Sequence, residues 1–118
     1  MIMNVQGRKR QVMLLPIMKK WYDMILSGDK KEEYRDFKTY YHKRFQTAGM
    51  IADDAFTLIP GEHLVCFRNG YSSSSPQFFA YCTLRVGTGK PEWGAEEGKN
   101  YYILQISKIV KEKGAYNE

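Results

Sequence analysis

The apolar and polar positions alternate in ways that predict seven successive elements. VMLLP, Val12 to Pro16, is a short unbroken apolar run, the pattern of a buried strand. Ile17, Trp21, Met24 and Ile25 then recur at helical spacing, with Lys19, Lys20 and Asp23 on the other side, and Gly28 follows as a left-handed cap. KKEEYRDF alternates weakly, contains no proline and carries β-favouring Tyr34 and Phe37, which predicts a strand leaving that turn. Thr39 is placed to cap a second short helix, YYHKRFQTA, with Tyr41 and Phe45 turned inward. Residues 49–62 read as irregular. HLVCFRN, QFFAYCTLRV and YYILQISKIV read as three strands. In the second of these, Phe78, Ala80, Cys82, Leu84 and Val86 share one face, and Phe79, Tyr81, Thr83 and Arg85 the other. In the third, Tyr102, Leu104 and Ile106 share a face. Helices early and long strands late predict an α+β fold: a small, mainly antiparallel sheet or barrel flanked by short helices.

The 118 residues and 43% hydrophobic composition suit one domain, expected over residues 12–112, between a loose basic N-terminal tail (1–11) and a C-terminal tail (113–118). No apolar run approaches the roughly 20 residues of a membrane span. The basic start followed by VMLLPIM superficially resembles a signal peptide. However, Pro16 interrupts the run, Lys19 and Lys20 follow at once, and no small-residue cleavage site appears. Cys66 and Cys82 lie inside strand patterns and form no disulfide framework, so reduced, buried thiols in a cytoplasmic protein are expected. His42 and His63 stand apart from each other and from any cysteine pair, so no metal pattern exists. No cofactor motif is found: in GTGKPEWGA, Leu84 stands where a phosphate loop needs its first glycine, and Pro91 stands where it needs Ser or Thr.

Charge changes the picture. The formal net charge is +5, and it is uneven: residues 1–46 hold eleven Lys/Arg against five Asp/Glu, and residues 47–118 hold seven against eight. A basic half beside a nearly neutral one is a footprint for a polyanion. Between Lys19 and Phe45, basic residues interleave with Trp21, Tyr22, Tyr34, Tyr40 and Tyr41, the mixture that single-stranded RNA requires. Trp21 and Phe45 are expected in the core.

The densest charge is SGDKKEEYR, Ser27 to Arg35. In a strand starting near Lys31, the side chains of Lys31, Glu33 and Arg35 leave one face and those of Glu32, Tyr34 and Asp36 the other. Glu33 and Arg35 can therefore pair, and Lys30 sits in the turn. The same charges would also suit a protected edge strand.

Gly28-x-Lys30-x-x-Glu33-x-Arg35 resembles the G-x-K-x-x-E-x-R signature of the ASCH (activating signal cointegrator homology) domain family. WYDMILSG resembles the family's lead-in helix, and PGEHLVCF and YYILQISKI resemble its later strands. NGYSSSSPQF and GTGKPEWGAEEGK resemble segments of a bacterial or phage-type branch. The resemblance covers roughly Val12 to Val110. It implies a PUA-like β-barrel flanked by helices, with the signature in a cleft and RNA as the usual ligand. Lys30 and Arg35 would then meet phosphate or base edges, Glu33 would orient Arg35, and Lys38 and Lys90 would flank the cleft. Arg68 would contact the ligand from the base of the RNGYSSSSPQ loop, Tyr71 would stack on a base, and Trp93 would either pack down as a lid or stack on a base. A related branch hydrolyses acetylated cytidine-type nucleosides with a Lys, a Thr and a Glu. Glu33 occupies the Thr position here, and a carboxylate cannot play the hydroxyl's part. Two further readings stand beside RNA or nucleotide-like ligand binding. One is a hydrolase with Lys30 as acid/base and Glu33 as its partner, and the other is a protein-interaction domain.

Overall fold

The computed structural model describes residues 1–54 and 56–110, and the C-terminal segment expected at 113–118 lies outside them. The elements follow the order anticipated, with one addition at the start. Strands β1 (Ile2–Val5) and β2 (Arg8–Gln11) precede β3 (Met13–Ile17), α1 (Lys19–Ser27), β4 (Glu32–Asp36), α2 (Thr39–Thr47), β5 (His63–Asn69), β6 (Gln77–Thr88) and β7 (Asn100–Ile109). A short 3-10 turn, Pro91–Trp93, lies in the loop before β7.

The five later strands form one sheet in the order β3-β5-β6-β7-β4. Only the β3–β5 pair is parallel; every other neighbour is antiparallel. The sheet curls enough for the side chain of Arg35 on β4 to bridge to the other edge, where it donates to the Pro16 carbonyl on β3 at 3.2 Å. The result is a half-barrel with a seam between β3 and β4. Both helices pack on its inner face: Tyr22 and Ile25 of α1 and Phe45 of α2 are buried with Leu15, Phe67, Phe78, Leu84, Tyr102 and Leu104. Phe78, Ala80, Cys82 and Leu84 share that core as their alternation requires. Val86 does not, being 42% exposed although its cross-strand partner Tyr102 is buried in that core.

The first eleven residues are not a loose tail. β1 and β2 pair antiparallel around a two-residue turn in which Gln6 and Gly7 both have positive φ, 52° and 79°. That geometry matches the twist of a tight hairpin. The hairpin is anchored because Val5 and Val12 are buried against Leu64, Cys66, Phe79 and Val110 on the outer face of the sheet. Gly28 caps α1 with φ 90°, its N–H bonding the Ile25 carbonyl, so the chain reverses directly into β4.

Candidate functional site

The reversal at Gly28 sends Lys30 inward. Its N–H bonds the Met24 carbonyl at the end of α1, and the whole residue is 1% exposed. An ammonium buried this deeply needs partners, and the loop between β6 and β7 supplies one of them. Lys30 Nζ donates to the Trp93 carbonyl at 2.5 Å and lies 3.3 Å from Glu33 Oε1. The rings of Trp21 and Tyr34 flank it, with centres 4.6 and 4.9 Å away. Burial lowers the Lys30 pKa below the ordinary lysine value, while Glu33 pulls it back up and the neighbouring Arg35 adds to the lowering. In return the Trp93 indole donates to the Asp29 carbonyl at 2.9 Å, so two reciprocal bonds clamp the loop onto the turn after α1.

Glu33 links this buried lysine to the seam. Its second oxygen accepts from Arg35 Nη1 at 2.5 Å. Arg35 Nη1 also donates to the Tyr34 carbonyl at 2.6 Å, and Nη2 to that of Pro16. One guanidinium thus satisfies backbone oxygens from both edge strands, a use that its planar fork allows and a lysine would not. Further along β3, Arg44 of α2 donates to the Leu14 carbonyl at 2.7 Å. The opposite face of β4 carries a second network. The Tyr34 hydroxyl donates to Glu32, which pairs with Arg85 at 2.7 Å, and the same hydroxyl accepts from the Lys90 N–H. Burial raises the Tyr34 pKa well above the ordinary phenol value, so the phenol stays a donor.

The seam is concave. A cleft of about 420 Å³ is lined by Trp21, Glu33, Arg35, Tyr71 and Trp93, with Lys19 at its rim. It shares Pro16, Tyr34, Arg35 and Tyr71 with a neighbouring hollow that extends to Tyr40, Tyr41 and Arg44. The two make a continuous groove with the Arg35 guanidinium at its centre.

Four of the residues expected at a site meet there: Glu33, Arg35, Tyr71 and Trp93. Lys30 does not open onto the cleft, because Trp93 covers it and its ammonium is occupied from within. Its expected contact with phosphate is corrected by its burial. Lys90 lies behind the indole, its Nζ 4.6 Å from the Trp93 ring. Arg68 is held by two bonds to Gln77 Oε1 across the β5–β6 pair. Lys38 leans on Asp36 at 3.7 Å and lines a different hollow. Trp21 was expected in the core; it is half-buried and forms a wall of the cleft. Arg44 belongs to the basic and aromatic mixture between Lys19 and Phe45, and its position on α2 opposite the β3 edge places it in the groove.

Both cysteines are buried and free. Burial pushes the Cys66 thiol up to about 11 and the Cys82 thiol further still. Neither thiol is expected to react with an alkylating reagent at pH 8 until the protein unfolds, since the thiolate is the nucleophile. Quantitative labelling of the native protein within minutes would contradict this. Among the described residues, no group of three His, Cys, Asp or Glu side chains could hold a metal ion, and no helix is long and apolar enough to cross a membrane.

Comparison of the chain with protein-family models, with curated proteins and with solved structures yields no match.

Proposed function

We propose that the protein is an ASCH-type, PUA-like domain that binds single-stranded RNA or a nucleotide-like ligand in the seam groove. The observation that carries the reading is the guanidinium of Arg35, held between two strand edges and flanked along one groove by Tyr71, Trp21 and Trp93. A fixed cation beside accessible rings provides what a strand with unstacked bases needs: a partner for phosphate and faces for bases. Tyr71, 90% exposed at the base of a serine-rich loop, is the most accessible of the rings. The positive excess of residues 1–46 adds long-range attraction for a polyanion. The burial of Lys30 favours binding over hydrolysis, because an acid/base must touch its substrate and this ammonium is enclosed by Trp93 and Glu33.

The test is fluorescence anisotropy with a short single-stranded RNA at several salt concentrations. Affinity is expected to fall as salt rises, with a log–log slope of about −0.7 for each phosphate contacted. Tyr71→Ala is expected to weaken binding about tenfold through the lost stack. Its thermal midpoint should match that of the wild type, since the ring is exposed. Salt-independent affinity, or full affinity in Tyr71→Ala, would overturn the reading.

A further inference from the structure

Two arginines reach the free edge of β3. Arg35 comes from β4 and donates to the Pro16 carbonyl at 3.2 Å, and Arg44 comes from α2 and donates to the Leu14 carbonyl at 2.7 Å. Leu14 and Pro16 are two positions apart in one strand, so both carbonyls leave the same side, about 6–7 Å from one another. The strand edge holds the two guanidiniums near that spacing. Both side chains are half-buried, and both line one hollow of about 560 Å³ together with Tyr40, Tyr41 and Tyr71. Each has N–H groups to spare. Among the described residues Arg44 donates to Leu14 alone, and Arg35 to Glu33, Tyr34 and Pro16.

Positive charge is in surplus around this hollow. Arg44 has no carboxylate partner among the described residues. Arg35 shares Glu33 with Lys30, so those three groups keep one net positive charge. Asp36 is the one carboxylate lining the hollow, and Lys38 and Lys99 share it at 3.7 and 3.1 Å. A bidentate guanidinium sits about 4 Å from phosphorus, so two of them about 6–7 Å apart can grip a single phosphate from different sides. A phosphodiester inside a strand offers one negative charge and two free oxygens. A phosphate monoester offers up to two charges and a third oxygen, which suits two guanidiniums in a cationic hollow. We propose that this hollow takes a phosphate monoester, the phosphorylated end of an RNA strand or of a nucleotide, held by Arg35 and Arg44 together. Its base would stack on the exposed ring of Tyr71. This site rests on the reading of the seam groove, since Arg35 and Tyr71 are shared. It adds Arg44 as the residue that tells a phosphorylated end from the interior of a strand.

Isothermal titration calorimetry of the full chain tests it, with three hexaribonucleotides of one mixed sequence: one with a 5′-phosphate, one with a 3′-phosphate and one with hydroxyls at both ends. One of the phosphorylated strands is expected to bind about tenfold tighter than the unphosphorylated strand. Arg44→Lys keeps the charge but loses the fork, and should cut that advantage to about twofold or less. AMP or CMP binding as tightly as the phosphorylated strand would support the same site, with a free nucleotide as its ligand. Equal binding of all three strands, weakening as salt rises, would overturn the monoester site and leave the groove reading standing, with the two arginines on successive phosphodiesters. No binding by any strand would remove both. An advantage kept at tenfold in Arg44→Lys would also overturn the proposal, as would a phosphoserine peptide that binds more tightly than the phosphorylated strand.

Discussion

Glu33→Gln is expected to be the most damaging conservative substitution in this protein, with a loss on the order of 3–5 kcal/mol. For a domain of this size that is a fall in thermal midpoint of roughly 10–20 °C. Glu33 is paired with two cations at once, Lys30 at 3.3 Å through Oε1 and Arg35 at 2.5 Å through Oε2, so the triad keeps one net positive charge. Glu33 is the one salt-bridge partner of Lys30 among the described residues, so the amide would leave an ammonium that is 1% exposed without its counter-charge. Lys30→Met should cost less, because Glu33 keeps Arg35 and the thioether fills much of the lysine stem's space. Combining the two changes should recover part of the loss, since a buried pair removed together leaves no unpaired charge. Chemical denaturation of the four proteins of this cycle measures it. A Glu33→Gln loss below about 1 kcal/mol would show that the pair carries little.

The same substitution has a signature in pH. Burial holds the Lys30 pKa in the folded protein below its ordinary 10.5, and Glu33 limits that lowering. Between the depressed folded value and 10.5, the unfolded chain binds more protons at Lys30 than the folded one does, so stability from this group rises with pH across that window. Without Glu33 the folded value falls further and the window opens at lower pH. The Glu33→Gln deficit relative to wild type should therefore shrink as pH climbs through the alkaline range. A deficit independent of pH would contradict the burial of a charged Lys30.

Gly94→Ala is expected to cost about 2–4 kcal/mol in total and to loosen the loop that closes over Lys30. Gly94 has φ 100°, a conformation that strains any residue with a Cβ. That Cβ would also sit 2.9 Å from Trp21 Cζ2 and 3.3 Å from Cε2, within the six-membered ring of the indole. Trp21 cannot retreat freely, because the hydrophobic core and the Lys30 ammonium already pack against it. The loop must lift instead, which pulls the Trp93 carbonyl from Lys30 and the Trp93 indole from Asp29. Tryptophan emission should shift to the red along with the loss of stability. Gly98→Ala is the control: its φ is 77°, but nothing lies within 4 Å of a Cβ there, so only the backbone strain of about 1–2 kcal/mol applies. Equal losses in the two variants would remove the Trp21 contact as a cause.

Much of the architecture is legible in local pattern. β3, α1, the Gly28 cap and α2 each follow from spacing within a few residues, because periodicity acts over one or two turns; the cap of α2 does not, since Lys38 occupies the N-cap with no side-chain hydrogen bond and Thr39, expected there, is the first helical residue. The inward face of β6 is legible for the same reason as far as Leu84. The N-terminal hairpin was not. Arg8, Lys9 and Arg10 hide its turn behind charge, and only the burial of Val5 and Val12 against Phe79 and Cys66 makes it part of the domain. The pairing of Glu33 with Arg35 followed from two-residue alternation in a strand. The place of Lys30 did not, since its carbonyl partner comes from a residue 63 positions away.

By itself, then, the sequence determined the order of helices and strands, the mixed α+β class and the face on which Glu33 and Arg35 meet. Each depends on short-range geometry that the chain carries with it wherever it folds. The tertiary structure alone decided which cations are buried and which face the groove. Lys30 and Arg35 lie five residues apart with the same formal charge, yet one is enclosed by Trp21, Tyr34 and Trp93 and the other spans the seam between β3 and β4. The reason is desolvation: whether an ammonium can leave water depends on the carbonyls, carboxylates and rings that close around it. Those are brought together by the curl of the sheet and the clamp of the β6–β7 loop, not by their distance along the chain.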